Sequence, residues 1–594
     1  MESLGASLKT AETEFRVWAP HCRSVEVLLD RRAPVPLQAA ADGLFEGVLP
    51  DAHAGSTYWY RLDGARDRPD PLSRYQPMGV HGPSMVVDPR DFAWTDQAFR
   101  GHALDALVIY ELHVGTFTEL GTFEAVIPHL AALVDLGVSA VELMPVAEFP
   151  GGRDWGYDGV HLFAPQSTYG GPRGLRRLVD ACHAAGLSLI LDVVYNHLGP
   201  EGNYLAEFGP YFTDRHPTPW GPGVNVDGPD AAGVRRHLVD NARYWVREFH
   251  VDGLRLDAIH AITDTSALHI LTELARAARE EAMTLGRPLH VIAESHDNDR
   301  RLVLPAAGGG LGLDAVWSDD FHHALHARLT GERVGYYADY PGGRGLERAI
   351  AAGFVYQGES SVYWGRNRGT PSSDLPGERF VISIQNHDQV GNRPGSERLP
   401  ALVHREAVKA AVAILCATPA IPLLFMGEEY GETSPFPFFA SFLDPHLSEA
   451  VHRGRQRELD RFGGTGRVAD PSAPATFARA RLNHALVVRP GHRELREYYR
   501  AWLTLRGAHP ALGACRKQAT DAEIADDVLL VNRQAATGER VVLAANLADE
   551  RRSLPRALAG ATVLLDSGQP RFGGRAGIPL APYQAVLFEI ARSR

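Results

Sequence analysis

Two stretches decide the fold: Leu187-Ser-Leu-Ile-Leu-Asp-Val-Val-Tyr-Asn-His197 and Val251-Asp-Gly-Leu-Arg-Leu-Asp-Ala-Ile-His260. Each is a short apolar run that ends in side chains able to do chemistry. Apolar runs of four to eight residues bounded by turns read as fully buried strands. Working outward, six more follow the same pattern: 107–112, 138–144, 289–293, 313–317, 380–384 and 421–426. Helical patterns lie between them. At 122–136 the apolar residues Phe123, Val126, Ile127, Leu130, Leu133 and Val134 recur at helical spacing, and similar stretches occupy 173–185, 232–249 and 266–284. Eight buried strands alternating with helices predict a closed parallel (β/α)8 TIM barrel over 96–512, with an open doubly wound sheet as the competing architecture.

The flanks read differently. Phe15-Arg-Val-Trp18, Val25-Glu-Val-Leu-Leu29 and Thr57-Tyr-Trp-Tyr-Arg-Leu62 are β-rich runs separated by turns, which predicts an N-terminal β-sandwich over 1–95. Pro69, Pro71, Pro77 and Pro83 mark a linker. The runs 528–531, 541–544, 562–565 and 585–590 predict a C-terminal β-sandwich over 513–594. Two connections, 198–230 and 340–378, are too long for plain loops and are expected to build a substrate groove. Gly308-Gly-Gly-Leu-Gly312 has no strand directly before it, so it reads as a flexible turn and not a nucleotide loop.

Composition narrows the chemistry. Of 594 residues, 45% are hydrophobic and 22% charged, which excludes disorder as the main state. The net charge of −12 argues against non-specific binding to nucleic acid or to an anionic membrane. Lys9, Lys409 and Lys517 are the only lysines, and no Gly-Lys-Ser/Thr occurs, so there is no Walker-type phosphate loop. Cys22, Cys182, Cys416 and Cys515 are far apart, which predicts four reduced thiols in a cytoplasmic protein. Met1 to Thr13 lacks the blocks of a signal peptide. The apolar run Ala410–Met426 is interrupted by Pro419 and Pro422 and reads as a buried helix end followed by a strand.

Acidic and histidine residues recur where the strands end: Asp192, Asn196 and His197; Asp257 and His260; Glu294 and His296; His387, Asp388 and Gln389. In a barrel these ends face one cavity. Three carboxylates there, Asp257, Glu294 and Asp388, are costly to desolvate together unless they act together. A carboxyl pair can run glycoside hydrolysis, one group attacking or activating water while the other protonates the leaving oxygen. Arg255 and Asp257, two apart on a strand, share a face, and a fixed cation favours the anion a nucleophile requires. Each residue also has a plainer reading. A strand-end Asp often caps a turn, Arg255 with Asp257 can be a structural ion pair, His387 a core histidine, and His322 and His323 helix caps. That reading would have to hold at four strand ends at once.

In this order and on these strands, Asp192-x-x-x-Asn196-His197, Arg255-x-Asp257, Glu294 and His387-Asp388 resemble the four sequence regions of the α-amylase-type glycoside hydrolases. The resemblance extends to Phe15-Arg-Val-Trp-Ala-Pro20, which opens a carbohydrate-binding-module-like sandwich in branching, debranching and trehalose-forming members. A narrower resemblance is to the trehalose-releasing branch of the family, the maltooligosyltrehalose trehalohydrolases. It rests on Gly156-Tyr-Asp-Gly-Val160, Phe163-Ala-Pro-Gln166, Gly209-Pro-Tyr-Phe-Thr-Asp214, Asp319-Asp-Phe-His-His323 and Asn386-His-Asp-Gln-Val-Gly-Asn-Arg393. Branching enzymes usually carry His-Asp-Glu where this chain has His387-Asp388-Gln389.

The resemblance implies a retaining glycosidase with Asp257 as nucleophile, Glu294 as general acid/base and Asp388 as transition-state stabiliser. It implies that Arg255 orients Asp257, that His197 and His387 bind the sugar beside the scissile bond, and that Tyr157 stacks on it. Asp192 and Asn196 hold their loop in shape; this Asn binds calcium in some relatives, and here no metal and no cofactor are expected. The implied substrate is maltooligosyltrehalose, cut at the α-1,4 bond next to its terminal trehalose unit, and the implied pathway partner is a maltooligosyltrehalose synthase. A glucan-branching transferase of the same family is the alternative, and a non-catalytic glucan-binding barrel is a third reading. For selective binding of the trehalose leaving group the expectation falls on Asp319, Asp320, Phe321, His322 and His323, with His260 and Gln389 on neighbouring loops. Asp320 and His323 are the preferred hydrogen-bonding pair, and the plainer alternative is that Asp319 or Asp320 caps a helix starting near Phe321.

Overall fold

The computed structural model describes residues 4–591 apart from 11, 31, 464–465, 514 and 575–578. Its centre is a closed barrel whose strands run in chain order: β1 (Ile109–Leu112), β2 (Ala140–Leu143), β3 (Ser188–Val193), β4 (Gly253–Leu256), β5 (His290–Ala293), β6 (Ala315–Trp317), β7 (Phe380–Ser383) and β8 (Ile421–Phe425). Neighbouring strands pair in parallel, and β1 closes on β8. All eight are buried along their whole length. This is why they appear as continuous apolar runs and not as alternating ones.

The barrel interior is apolar at its base, where Ile109, Ala140, Ile190, Ile292, Ala315, Val381 and Ile421 pack together. Side chains alternate faces along a strand. Two residues further on, the same inward face therefore carries Glu111, Glu142, Asp192, Arg255 and Glu294. Register places Glu111 beside Glu142 and Asp192 beside Arg255. A polar layer thus sits directly over an apolar plug, at the carboxyl ends of the strands.

The helices of this part include α1 (Leu130–Leu136), α2 (Gly171–Ala184), α3 (Ala231–Phe249), α4 (Ile270–Leu285), α5 (Asp319–Thr330), α6 (Arg405–Ala417), α7 (Pro445–Phe462), which lines the cavity described below, and α8 (His492–Ala508). The helix α1 stops at Gly137, whose φ of 103° lets its N–H reach Leu133 and Val134. Between β5 and β6 there is no α-helix, only the three-residue turns Arg300–Leu302 and Ala306–Gly308. The glycine run lies there, with Gly309 and Gly312 in left-handed conformations.

The N-terminal part has the expected two antiparallel sheets, one around Thr13–Trp18 and Leu44–Leu49 and the other around Val25–Leu29 and Thr57–Leu62. Phe15, Val17, Val25, Val27, Tyr58 and Tyr60 are buried between them. At the C-terminus all four anticipated runs are strands, joined by Thr520–Ala525. One point differs from expectation: among the described residues these five strands form one sheet and not the two of a sandwich. One face, with Leu529, Val531, Val541, Leu543 and Leu587, joins the main core. The other is covered by Leu558 and Leu580 from connecting segments. Loops supply the second layer, so no second sheet is needed. No helix among the described residues is long and apolar enough to cross a membrane.

Candidate active site

The site is built around Arg255. Its side chain is fully buried, and Nη1 donates to both oxygens of Asp192 at 2.9 Å and to Asp257 Oδ1 at 2.6 Å. Nη2 lies 3.9 Å from Glu294 Oε2, and the guanidinium rests over the Trp317 ring at 4.4 Å. One cation therefore organises three carboxyl groups from three consecutive strands. The second oxygen of Asp257 accepts from Asn196 Nδ2 at 2.8 Å, so both oxygens are held. Ala258, directly after Asp257, has φ of 41°. That left-handed turn costs a non-glycine residue about 1–2 kcal/mol, and it aims Ala258 N–H at Glu294 Oε2, 2.6 Å away. Strain of this kind persists where a site requires it.

Electrostatics sets the state of Glu294. Burial pushes Glu294 up, Arg255 pulls it down, and Asp257, Asp388 and Asp319 push it up again, to about 8. Asp388 sits in the first turn of the short helix His387–Gly391, whose cap Asn386 accepts from the Asp388 and Gln389 N–H groups. Its side chain is 40% exposed and reaches into the cavity.

That cavity measures about 1080 Å³, at the upper end of small-molecule sites. Asp257, Glu294 and Asp388 all line it, as do Tyr157, His197, His260, Asp319, His323 and Gln389. Tyr157 also hydrogen-bonds Asp192 Oδ2 and His387 Nε2, each at 2.7 Å. His197 stacks on Trp220 at 5.0 Å. Gln389 donates to Asp319 Oδ1 at 3.1 Å. Asp192, Asn196, Arg255 and His387 lie behind this surface as supports. Asn196 uses its amide on Asp257 and its Oδ1 on His197, and among the described residues no group of three or more His, Cys, Asp or Glu side chains could hold a metal ion.

The expectations for 319–323 need correction at three positions. Asp320, Phe321 and His322 do not line the cavity. Asp320 is fully buried and accepts from Tyr340, Asn298 and the N–H groups of Val355 and Tyr356, and it pairs with Arg368 at 3.0 Å. Phe321 is core, and His322 bonds Ile384 O and Tyr337. The reason is periodicity. The segment is helical from Asp319, so residues four apart share a face and adjacent ones do not. Asp319 and His323 face the cavity together, and Asp320 is turned into the protein. Neither Asp acts as the N-cap; that position is Ser318, without a side-chain cap bond. Asp320 instead anchors the 340–378 connection. Replacing it by Asn leaves Arg368 buried without its charge partner, and breaking such a pair costs about 3–5 kcal/mol. Denaturant unfolding should show that loss, with activity falling equally on plain and trehalose-ended glucans. Unchanged stability with a loss on one substrate alone would contradict this placement.

Several cavity residues escaped the sequence reading, Trp220, Tyr336, Trp364, Arg368 and Arg455, and His296 was read at its strand end without a role. The two long connections supply Trp220, Trp364 and Arg368, and α7 supplies Arg455. Three cavity histidines each stack on a loop aromatic: His197 on Trp220, His296 on Trp364 and His323 on Tyr336. Aromatic residues inside long Gly/Pro-rich connections were the available signal.

Comparison with known proteins agrees with this geometry. Residues 87–216 match the family model "Alpha amylase, catalytic domain", and residues 3–80 match "Carbohydrate-binding module 48 (Isoamylase N-terminal domain)". Residues 518–587 match a domain of unknown function. The malto-oligosyltrehalose trehalohydrolase of Saccharolobus solfataricus is 47% identical over 81% of this chain and 83% of its own length. That of Arthrobacter ramosus is 45% identical over 87% and 91%. A crystal structure titled as a putative α-amylase from Salmonella typhimurium superposes with a TM-score of 0.91 at 38% identity over the full length of both chains. With these identities and coverages, the chain belongs to the malto-oligosyltrehalose trehalohydrolases, within the α-amylase family.

Proposed function

We propose that the chain hydrolyses the α-1,4-glucosidic bond next to the terminal trehalose unit of maltooligosyltrehalose, releasing trehalose and a shorter maltooligosaccharide with retained configuration. The observation that carries this reading is the single guanidinium of Arg255 shared by Asp257 and Glu294, at the floor of a cavity that Asp388 also enters. Two carboxyls flanking one small cation suit the short separation of about 5–5.5 Å that retaining glycosidases use.

In the first step Asp257 attacks the anomeric carbon. Glu294, whose Oε2 is engaged by Ala258 N–H, gives a proton from its other oxygen to the departing trehalose oxygen. In the second step Glu294 takes a proton from water, which displaces Asp257. Asp388 accepts hydrogen bonds from sugar hydroxyls that strengthen in the oxocarbenium-like transition state. Asp319, His323 and Gln389 line the same cavity and are suited to hydrogen-bond the bent, non-reducing disaccharide. A site that pairs those hydroxyls rejects a leaving group that lacks them.

The substrate implies an upstream synthase that converts the reducing end of a maltodextrin into a trehalose unit. Free thiols at all four cysteines support a cytoplasmic setting, and the acidic balance supports a partner set without nucleic acid.

The test compares initial rates and products on maltooligosyltrehalose and on plain maltodextrin of equal length. Trehalose should appear, with a much higher kcat/KM on the first substrate. Equal rates, or branched products without trehalose, would overturn the reading. The pH profile gives a second check. Glu294 must be protonated, and its carboxyl is raised, so kcat/KM should hold through neutral pH and fall as pH rises through about 8. A basic limb at an ordinary glutamate value, about 4.3, would contradict its role.

A further inference from the structure

The buried carboxylate Glu111 on β1 has no part in the steps above, yet it grips a residue at the edge of the site. Glu111 Oε1 lies 2.5 Å from His387 Nδ1, and Oε2 accepts the His387 backbone N–H at 3.1 Å. Both side chains are fully buried. On the far side of the ring, His387 Nε2 is 2.7 Å from the Tyr157 hydroxyl and 3.4 Å from Asp388 Oδ1. Tyr157 has one proton to give. Arg255 donates into both oxygens of Asp192, which makes Asp192 the acceptor for that proton. The hydroxyl oxygen can then only accept from His387, so Nε2 carries a hydrogen while Nδ1 gives its own to Glu111.

We propose that Glu111 is a positioning residue, which holds His387 doubly protonated so that His387 donates to Tyr157 and Tyr157 to Asp192, where their donation meets that of Arg255, the same guanidinium that donates to Asp257. In that state Tyr157 is pinned at the cavity wall and Asp192 stays committed to Arg255. The groups that face His387 fit this state. Burial alone lowers its proton affinity, and Arg255 adds to that. Asp388 and Glu111 outweigh both and raise it to about 9. Glu142, beside Glu111 on β2, is driven toward its neutral form by burial, then by Glu111 and Asp192. Neither of its oxygens has a hydrogen-bond partner. His113 is likewise held neutral by burial, so the charge of Glu111 has His387 as its counterpart.

The activity part of the test rests on the proposed glycosidase reading; the spectroscopic part does not. In Glu111→Gln, His387 keeps Asp388 but loses the second anion that raises it, so it titrates below its wild-type value of about 9. The variant should lose on the order of 10²-fold in kcat through misplacement of Tyr157 and Arg255. The loss relative to wild type should grow as pH rises, because the variant sheds the His387 proton at lower pH than the wild type does. Glu142→Gln removes a neighbouring carboxyl that bonds to nothing and should leave the profile unchanged. Nitrogen-15 NMR of histidine-labelled wild-type protein, without substrate, should show, beside the signal of His183 between Asp96 and Asp252, an imidazole that stays doubly protonated at pH 7.5 and is absent in His387→Asn. This second readout stands if Glu111→Gln does not fold. No such imidazolium, a loss equal at every pH, or the same loss in Glu142→Gln would overturn the proposal. An imidazolium in a protein that releases no trehalose would leave it standing and refute the substrate reading instead.

Discussion

Replacing Glu294 by Gln is expected to lower kcat on maltooligosyltrehalose by about 10²–10⁴ with little change in folding. Gln keeps the shape of the side chain and the acceptor for Ala258 N–H but has no proton to give. The effect should fall on kcat more than on KM, because proton transfer to the leaving oxygen develops only in the transition state. The basic limb of the wild-type profile should vanish in the same variant, because the group that titrates there has been removed. Steady-state kinetics across pH 5–9 tests both points, and near-normal turnover would remove Glu294 from the mechanism.

The second large effect is expected at Arg255. Its guanidinium is fully buried between Asp192 and Asp257 and lies near Glu294. Arg255→Met fills similar space over Trp317 but leaves the carboxylates without their counter-charge. Removing one partner of a buried ion cluster costs about 3–5 kcal/mol, a large part of a typical folding free energy of about 5–15 kcal/mol. Denaturant unfolding should register that loss, and activity should disappear with it. Arg255→Lys should recover little, since a single ammonium cannot span donors aimed at Asp192, Asp257 and Glu294. A stable and active Arg255→Met variant would show that the cluster is ornamental to both fold and site.

The barrel was legible because strands buried on both faces must be continuously apolar. The polar residues that interrupt them at their carboxyl ends, such as Asp257 and Glu294, stand out against that background. Period-two alternation made Arg255 and Asp257 a same-face pair, and they meet at 2.6 Å. The same alternation misled at 319–323, where the chain is already helical and Asp319, not Asp320, pairs with His323 on the cavity side. Contacts made across the fold left no local trace. Arg368 finds Asp320 only because the 340–378 connection folds back over α5. Glu111 reads as one polar residue in an apolar strand until β7 brings His387 to it. The helix α7 was missed as a cavity wall because it buries little, with Leu459 and Phe462 alone fully covered. Counting β-runs at the C-terminus could not tell one sheet backed by loops from two sheets.

The account's central claim is trehalose release by attack of Asp257 with Glu294 as acid, and one proton NMR time course tests it most directly. Maltooligosyltrehalose is mixed with enzyme at high concentration, and anomeric signals are followed before mutarotation. Double displacement predicts that trehalose and the α-anomer of the shortened maltooligosaccharide appear first and in equal amounts, with the β-anomer growing in later. First appearance of the β-anomer, or new reducing ends without trehalose, would contradict it.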